Sequence, residues 1–426
     1  MESPNNTVLA ITHCCPACGM LCDDLLLTEI SPMRIKNACS KSIDFFEKAL
    51  QANATKPSLA GNPTDLNTAI KTAADILRAS HQPLFAGLGT EVQGMRAIMR
   101  LAEKTNATLD HMHSEATMRN TLALQNSGWQ TTTLTEVKNR ADVILAIGTD
   151  IVSSHPRFFE KLVWNSDSLF DKAQAEIIYL GVAEESVQAG ISPDGKKPLV
   201  IPAETQKLPE IINALNVLSQ KKNSLSKKLV SDLIGGVSIA SLRLILEKLK
   251  TAQYAVVVWS ASHLNYAHAE LTVQSITQLI STLNESNRVA GLPLNAGDGD
   301  SSVNNTSTWL TGYPTRSRLL NGQPQYDSYH FSSRHQLKSC DALLWLSTFN
   351  PHQPPSCDAP IIAIGHANMQ FDRQPDVFIP VGVPGVHHAG TMFRMDSAVA
   401  MPLKKLWATD LLSLSEVIHR IEALLT

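Results

Sequence analysis

Between Cys39 and Cys340 the chain has no cysteine at all. It also lacks any stretch able to cross a bilayer, since apolar runs such as Ala255-Val256-Val257-Val258-Trp259 are far too short. Charge is scarce, at 18% of residues with a net of −3, so there is no basic footprint for nucleic acid or for an acidic membrane surface. The opening Met1-Glu2-Ser3-Pro4-Asn5-Asn6 has neither the basic segment nor the apolar core of a signal peptide. No internal repeat or low-complexity tract stands out. These absences lead to the expectation of a cytoplasmic protein without nucleic-acid or membrane partners. In a reducing compartment, clustered cysteines bind metal more often than they form disulfides.

What the chain does have is a crowd of cysteines at its start. Five of its seven lie in the first 39 residues, in Cys14-Cys15-Pro16-Ala17-Cys18-Gly19-Met20-Leu21-Cys22 and at Cys39. The spacing Cys15-x2-Cys18-x3-Cys22-x16-Cys39 gathers three thiolates in one tight loop and returns a fourth from further along. Four thiolates suit a cubane iron–sulfur cluster, and Gly19 relieves crowding where the backbone bends. A structural zinc site is an alternative, although it usually shows two x2-type pairs. A retained motif that binds nothing is another.

At 426 residues the chain has room for two or three domains. Residues 1–55 read as a small antiparallel unit around the cysteine loop, with a strand at Leu25–Ile30 and a short helix over Ser42–Leu50. Beyond residue 56 helices alternate with near-continuous apolar strands. The strands are expected at Pro83–Gly87, Ala141–Gly148, Glu176–Gly181, Tyr254–Ser260, Asp341–Ser347, Pro360–Ile364 and Val377–Val381. Helices are expected over Asp65–Ser80, Glu91–Lys104, most of 205–250, Ala267–Leu283 and Leu411–Leu425. This pattern predicts an α/β fold with parallel sheets covered by helices on both faces. Residues 291–335, rich in Gly, Asn, Asp, Ser and Pro, read as a long loop of the kind that is functional or packed against a partner. The Gly87-x-Gly89 turn is weak evidence for a nucleotide, because the full dinucleotide fingerprint is absent.

Four separated blocks carry a resemblance. They are the cysteine stretch with Cys39; Thr133 to Gly148 with Ser154-His155-Pro156-Arg157; Thr308-Trp309-Leu310-Thr311-Gly312-Tyr313-Pro314; and Ile379-Pro380-Val381 through Gly390-Thr391-Met392-Phe393-Arg394-Met395-Asp396. Together they resemble the B subunit of formylmethanofuran dehydrogenase, a relative of the molybdopterin formate dehydrogenases. The resemblance implies a three-domain molybdopterin-oxidoreductase-like architecture. Its parts would be a cysteine-loop domain over 1–55, a discontinuous α/β domain over 56–114 and 286–426, and an inserted α/β domain over 115–285. It also implies a [4Fe-4S] cluster on Cys15, Cys18, Cys22 and Cys39, and a tungsten or molybdenum pterin lined by segments such as Gly148-Thr149-Asp150 to His155.

The departures from that family bear on its chemistry. Its cysteine or selenocysteine metal ligand should fall upstream of Gly128, but Asp110-His111-Met112-His113-Ser114-Glu115-Ala116-Thr117-Met118 contains no cysteine. His111 and His113 could ligate a metal, or could serve as surface or packing residues. The family's Leu-Pro-Leu-Arg-Gly-type stretch reads Leu292-Pro293-Leu294-Asn295-Ala296, so the arginine is gone, and Asp298 and Asp300 add negative charge nearby. Val386-His387-His388-Ala389-Gly390 stands where relatives carry acidic residues. Loss of the pterin and of redox catalysis is the expectation. The pattern is similar to the B subunit of the bacterial formyltransferase/hydrolase complex. That implies partnership with metallohydrolase and formyltransferase subunits, a methanofuran-type formyl carrier, and a structural or carrier-binding role. The alternative is an active tungsten or molybdenum dehydrogenase subunit.

Overall fold

A computed structural model of the chain describes residues 11–30, 33–51, 55–172, 174–182, 184–220 and 232–425. The opening six residues, and 221–231 within the stretch expected to be helical, lie outside the described residues. The chain divides into two compact units, one of residues 1–114 and 297–426 and one of residues 115–296. The strands that bear on the site are, in chain order, β1 (Pro83–Gly89), β2 (Thr108–His111), β3 (Val143–Ile147), β4 (Glu176–Leu180), β5 (Ala255–Ser260), β6 (Val289–Leu294), β7 (Ala342–Ser347), β8 (Ile361–His366) and β9 (Val377–Val381).

The first unit is built on a sheet whose centre, β2-β1-β7-β8-β9, is parallel throughout. Antiparallel edges close it: the hairpin Ser317–Leu320 and Gln323–Tyr326 beside β2, and Ser58–Leu59 with Asn62–Pro63 beside β9. Side chains of a strand alternate between faces, and both faces here are apolar. Phe85, Leu344, Ile362 and Ile379 point into one core with the helices Leu66–Ala79, Val92–Thr105 and Leu414–Ala423. Their sequence neighbours Leu84, Leu343, Ile361 and Phe378 enter a second core with Leu337, Met369 and Phe371. That is why these strands read as unbroken apolar runs. The covering helices begin at polar caps. Asp65 accepts from the Thr68 N–H, and Ser413 and Glu416 form a reciprocal capping box.

The second unit holds a parallel sheet in the order Leu199–Ile201, β4, β3, β5, β6. Its core joins Val143, Leu145, Ile178, Val257 and Trp259 to the helices Leu208–Ser219, Ile239–Thr251 and Ala269–Leu283. At Gly291 in β6 a Cβ would stand 2.8 Å from the Trp259 ring, so only glycine lets the indole lie against the strand.

Near the N-terminus, Ile11–His13, Leu25–Ile30 and Met33–Lys36 form a small antiparallel sheet, and the helix Ser40–Leu50 follows directly on Cys39. The segment 291–335 is not a long loop. It contains most of β6, the helix Asp300–Thr311 and the Ser317–Tyr326 hairpin. That helix buries Asp300, Ser302, Val303, Thr306 and Ser307, mostly small polar side chains, so it carries no apolar periodicity to be read. Its ends are set by Gly299 and Gly312, both in the left-handed region. Among the described residues no helix is long and apolar enough to cross a membrane.

Candidate functional site

The cysteine loop closes on itself through the Cys15 N–H, which donates to the Cys22 carbonyl at 2.9 Å, and the Leu21 N–H, which donates to that of Cys18 at 3.2 Å. Cys39 sits at the N-cap of the helix Ser40–Leu50. Ser42, buried in the first turn of that helix, bonds both Cys15 Sγ at 3.2 Å and Cys39 Sγ at 3.3 Å. One hydroxyl therefore ties the loop to the fourth cysteine. Cys14, Cys15 and Cys22 are buried, and Cys18 and Cys39 half-buried. Burial pushes the Cys14 thiol up to about 12 and raises those of Cys15 and Cys18, with neighbouring thiols adding to the shift. Left alone, such thiols stay protonated; a metal's positive charge would be needed to hold them as thiolates. Four soft donors in this setting suit an iron–sulfur cluster.

The second cluster lies at the end of β2 in the first unit. Gly297-Asp298-Gly299 turns through three consecutive left-handed residues, with φ of 107°, 49° and 74°. The turn buries the Asp298 carboxylate, leaving its side chain 8% exposed. Oδ2 is 2.9 Å from His113 Nε2 and 3.2 Å from His352 Nε2, and Oδ1 accepts from Asn350 Nδ2 at 2.6 Å. Burial pushes the carboxyl up, but the bonds from His113, His352 and Asn350 outweigh it and hold the group well below the usual carboxylate range. The same bond raises His352. His111 faces the turn from behind. Its Nδ1 accepts from the His113 N–H at 3.1 Å, so its Nε2–H donates to the Asp298 carbonyl at 3.2 Å. Burial lowers this imidazole and keeps it neutral. Beneath the cluster, Asp110 is fully buried 3.5 Å from Arg316 and accepts the Ser333 N–H at 2.5 Å. Trp345 supports the far side by donating to the His352 carbonyl at 2.7 Å.

In the second unit, the Gly148–His155 segment follows the carboxyl end of β3, where open α/β sheets bind ligands. Its polar side chains are occupied within the unit. Asp150 caps its own helical turn and accepts from the Ser186 hydroxyl, Thr149 Oγ1 lies 2.6 Å from His263 Nδ1, and His155 Nε2 lies 3.2 Å from Asn295 Oδ1. A cleft of about 610 Å³ opens past β4, lined by residues including Gly181, Pro202, Glu204, Lys207 and Glu210. Its Lys207 is paired with Glu210 at 3.2 Å.

The last block places Val386-His387-His388-Ala389-Gly390 after β9. His387 is buried, and the Val383 N–H donates to its Nδ1 at 3.0 Å. His388 Nδ1 lies 2.9 Å from the Ala389 carbonyl, and its Nε2 3.2 Å from that of Gly382.

The structure thus holds Cys15, Cys18 and Cys22 in one loop and links Cys39 to Cys15 through Ser42, and it brings His111, His113 and Asp298 together at the other site. Asp300 is a buried helix-start residue beside them. Sequence reading passed over Asn350 and His352, which arrive from the turn after β7. Their only signal was a polar run directly behind a buried strand, the usual place for functional loops.

No protein-family model matches the chain. The B subunit of the formyltransferase/hydrolase complex Fhc of Methylorubrum extorquens is 30% identical to it over 344 residues, covering 78% of this chain and 87% of that protein. The B subunit of the tungsten-containing formylmethanofuran dehydrogenase 2 of Methanocaldococcus jannaschii is 25% identical over 413 residues, covering 92% of both. In three dimensions the chain is similar to a chain in the X-ray crystal structure of the formyltransferase/hydrolase complex FhcABCD from Methylorubrum extorquens in complex with methylofuran. The TM-score there is 0.71 at 26% identity, covering 87% of this chain and 98% of that one.

Proposed function

The chain belongs to the family formed by the B subunits of formyltransferase/hydrolase complexes and of formylmethanofuran dehydrogenases, and from that premise we propose that it is a non-redox subunit of a formyltransferase/hydrolase complex in one-carbon metabolism. It works beside metallohydrolase and formyltransferase subunits and helps bind or position a formyl carrier of the methanofuran type.

The Asp298 turn carries this reading. Where a dehydrogenase needs a thiolate or selenolate on tungsten and a cation facing its substrate, this chain has no cysteine from 40 to 339 and an ionised carboxylate in the nearby turn. His113, His352 and Asn350 are engaged with that carboxylate, and Arg316 is engaged with Asp110. A hard, anionic oxygen is a poor replacement for a soft sulfur or selenium ligand. It also disfavours the diphosphate of a pterin dinucleotide. The residues present therefore do not fit a tungsten or molybdenum pterin. They do fit a [4Fe-4S] cluster, which Cys15, Cys18, Cys22 and Cys39 would hold and which would supply one-electron chemistry when bound. In this chain Ser42 bonds two of those sulfurs. For assembly the surface offers Trp309, Leu310 and Tyr313, all exposed, with Tyr313 stacked on Tyr326 and Arg96 over the Trp309 ring. Exposed apolar groups of this size mark interaction surfaces.

The test is the intact complex purified anaerobically. Viologen-dye reduction with formylated carrier should be absent, tungsten and molybdenum should be absent, and formate release should fall when this chain is deleted. Dye reduction that depends on this chain would overturn the reading. Unaltered formate release without the chain would remove its supporting role. For the cysteine loop, about four irons per chain, lost on Cys18→Ser, is the expected result; an iron-free protein from iron-replete cells would exclude the cluster.

A further inference from the structure

Three buried N–H groups of the first unit have no acceptor among the described residues: His366 Nε2, His387 Nε2 and Trp407 Nε1. The other ring nitrogens fix the tautomers. The Asn368 N–H donates to His366 Nδ1 at 3.1 Å, as the Val383 N–H does to His387 Nδ1. Each Nδ1 is thus an acceptor and each Nε2 carries a proton, while an indole N–H can only donate. His366 is 0% and His387 2% exposed. A buried donor without a partner gives up its hydration for nothing, so several in one neighbourhood call for an explanation.

They do share a neighbourhood. The His387 and Trp407 rings meet edge to face with centroids 6.0 Å apart. The Leu406 and Trp407 N–H groups both bond the Val386 carbonyl, which keeps the indole beside the His387 turn. His366 pairs in register with Val381, the last residue of β9, and His387 follows that residue by six positions. His366 ends β8 and His387 follows β9, so the two stand at the carboxyl ends of adjacent parallel strands. Charged neighbours weigh against protonation of both: His387 and then Lys48, itself paired with Asp44, for His366, and His388 and then Lys405 for His387. A water molecule offers two lone pairs and brings two protons that need acceptors. A carboxylate offers about four acceptor sites and brings none.

We propose that His366, His387 and Trp407 bind a small carboxylate, of formate or acetate size, through their unpartnered N–H groups. The site is separate from the Asp298 turn and from the cysteine loop, and it does not depend on the role proposed for the chain in a complex.

The test is a titration of the full ¹⁵N-labelled chain at neutral pH with sodium formate and sodium acetate, against sodium chloride at matched ionic strength. The Trp407 indole signal, assigned with Trp407→Phe, and the Nε2 signals of His366 and His387 should move saturably with carboxylate and not with chloride. His366→Gln and Trp407→Phe should each weaken the thermal-shift midpoint about tenfold, the effect of losing one hydrogen bond to a charged group. The wild-type titration stands even if a variant fails to fold. No saturable movement in the wild type, or crystals grown in formate that show water alone at the three nitrogens, would overturn the proposal.

Discussion

Two histidine clusters in the first unit obey opposite rules. Around Asp298 the donors meet acceptors: His113, His352 and Asn350 converge on one carboxylate, and His111 closes the turn from behind. At the ends of β8 and β9, His366 and His387 each have one nitrogen bonded to backbone and one buried N–H facing nothing, with Trp407 in the same condition. Both clusters are made of the residue types that attract attention as ligands. The first is complete without a ligand, because its hydrogen bonds are satisfied by the chain itself. The second is incomplete, and that, more than its histidines, makes it a candidate for binding.

The contrast can be broken most forcefully at Asp298. Replacing it with alanine leaves two imidazoles and an amide without their shared acceptor. Leaving hydrogen-bond donors without their acceptor costs about 1–3 kcal/mol, and His113 and His352 are 30% and 46% exposed, so water meets part of that loss. We expect a loss of that size in urea unfolding at neutral pH, with Asp298→Asn losing less because an amide oxygen can still accept. A loss below about 1 kcal/mol, the range of exposed pairs, would mean that the carboxylate is not the hub described.

Acid sharpens the comparison next. Burial holds His366 and His387 down to about 4, whereas an unfolded chain titrates near the ordinary histidine value. The unfolded state therefore binds more protons between these values. The contribution of both groups is complete above about pH 6.5 and is lost as pH falls toward 4, at about 2–3 kcal/mol each. The Asp298 cluster behaves otherwise. The contribution of His352, whose pKa is raised, is complete below the ordinary histidine value and lost as pH rises through the folded one. That of Asp298 fades only at pH values below the ordinary aspartate range. Glu91 opposes the acid loss: burial raises it to about 7 against its N-cap bonds, so it adds stability as pH falls below 7. Urea unfolding from pH 7.5 to 4.5 should show a flatter profile for His366→Gln than for wild type. Parallel profiles would contradict a neutral buried imidazole at that position.

A smaller effect is expected at the cysteine loop, which resembles the Asp298 turn in being tied internally. Ser42→Ala removes the hydroxyl shared by Cys15 and Cys39, and should cost about 1 kcal/mol in the metal-free chain. No change in the unfolding midpoint would mean that the two sulfurs are held by backbone alone.

How far these regions could be read in advance follows from their physics. The strands β1, β3, β4, β5, β7, β8 and β9 were legible because a parallel strand covered on both faces must be apolar at every position, as Leu343, Leu344, Trp345 and Leu346 are. The helix Asp300–Thr311 was not, because Val303 is the one apolar residue on a buried face otherwise made of Asp300, Ser302, Thr306 and Ser307. The cysteines were legible as a group because their spacing is local. His111, His113 and Asp298 were noticed one by one, but their meeting depends on a return of the chain across 185 positions for His113 and Asp298, and no local pattern records that. The unpartnered donors were the least legible. His387 drew notice only as a replacement for an acid, and an absent hydrogen bond leaves no mark in a sequence.

The smallest effect separates the two clusters with one matched substitution. Trp345→Phe and Trp407→Phe remove the same indole N–H. Trp345 donates to the His352 carbonyl at 2.7 Å under the Asp298 cluster, so its loss leaves that carbonyl unpaired and costs about 1–3 kcal/mol beyond the lost ring area. Trp407 Nε1 has no partner, so in chloride buffer its removal takes away no bond and should cost less than about 1 kcal/mol, that of the area alone. Formate changes this expectation. If the carboxylate binds at Trp407, saturating formate stabilises the wild type by mass action and the variant less, so the gap between them widens as formate is added. Thermal unfolding of both variants and the wild type, with and without formate, reads the outcome. A gap for Trp407→Phe that is the same in both buffers would leave the indole N–H without a function. A gap for Trp345→Phe that also widened with formate would place the anion's effect elsewhere in the unit.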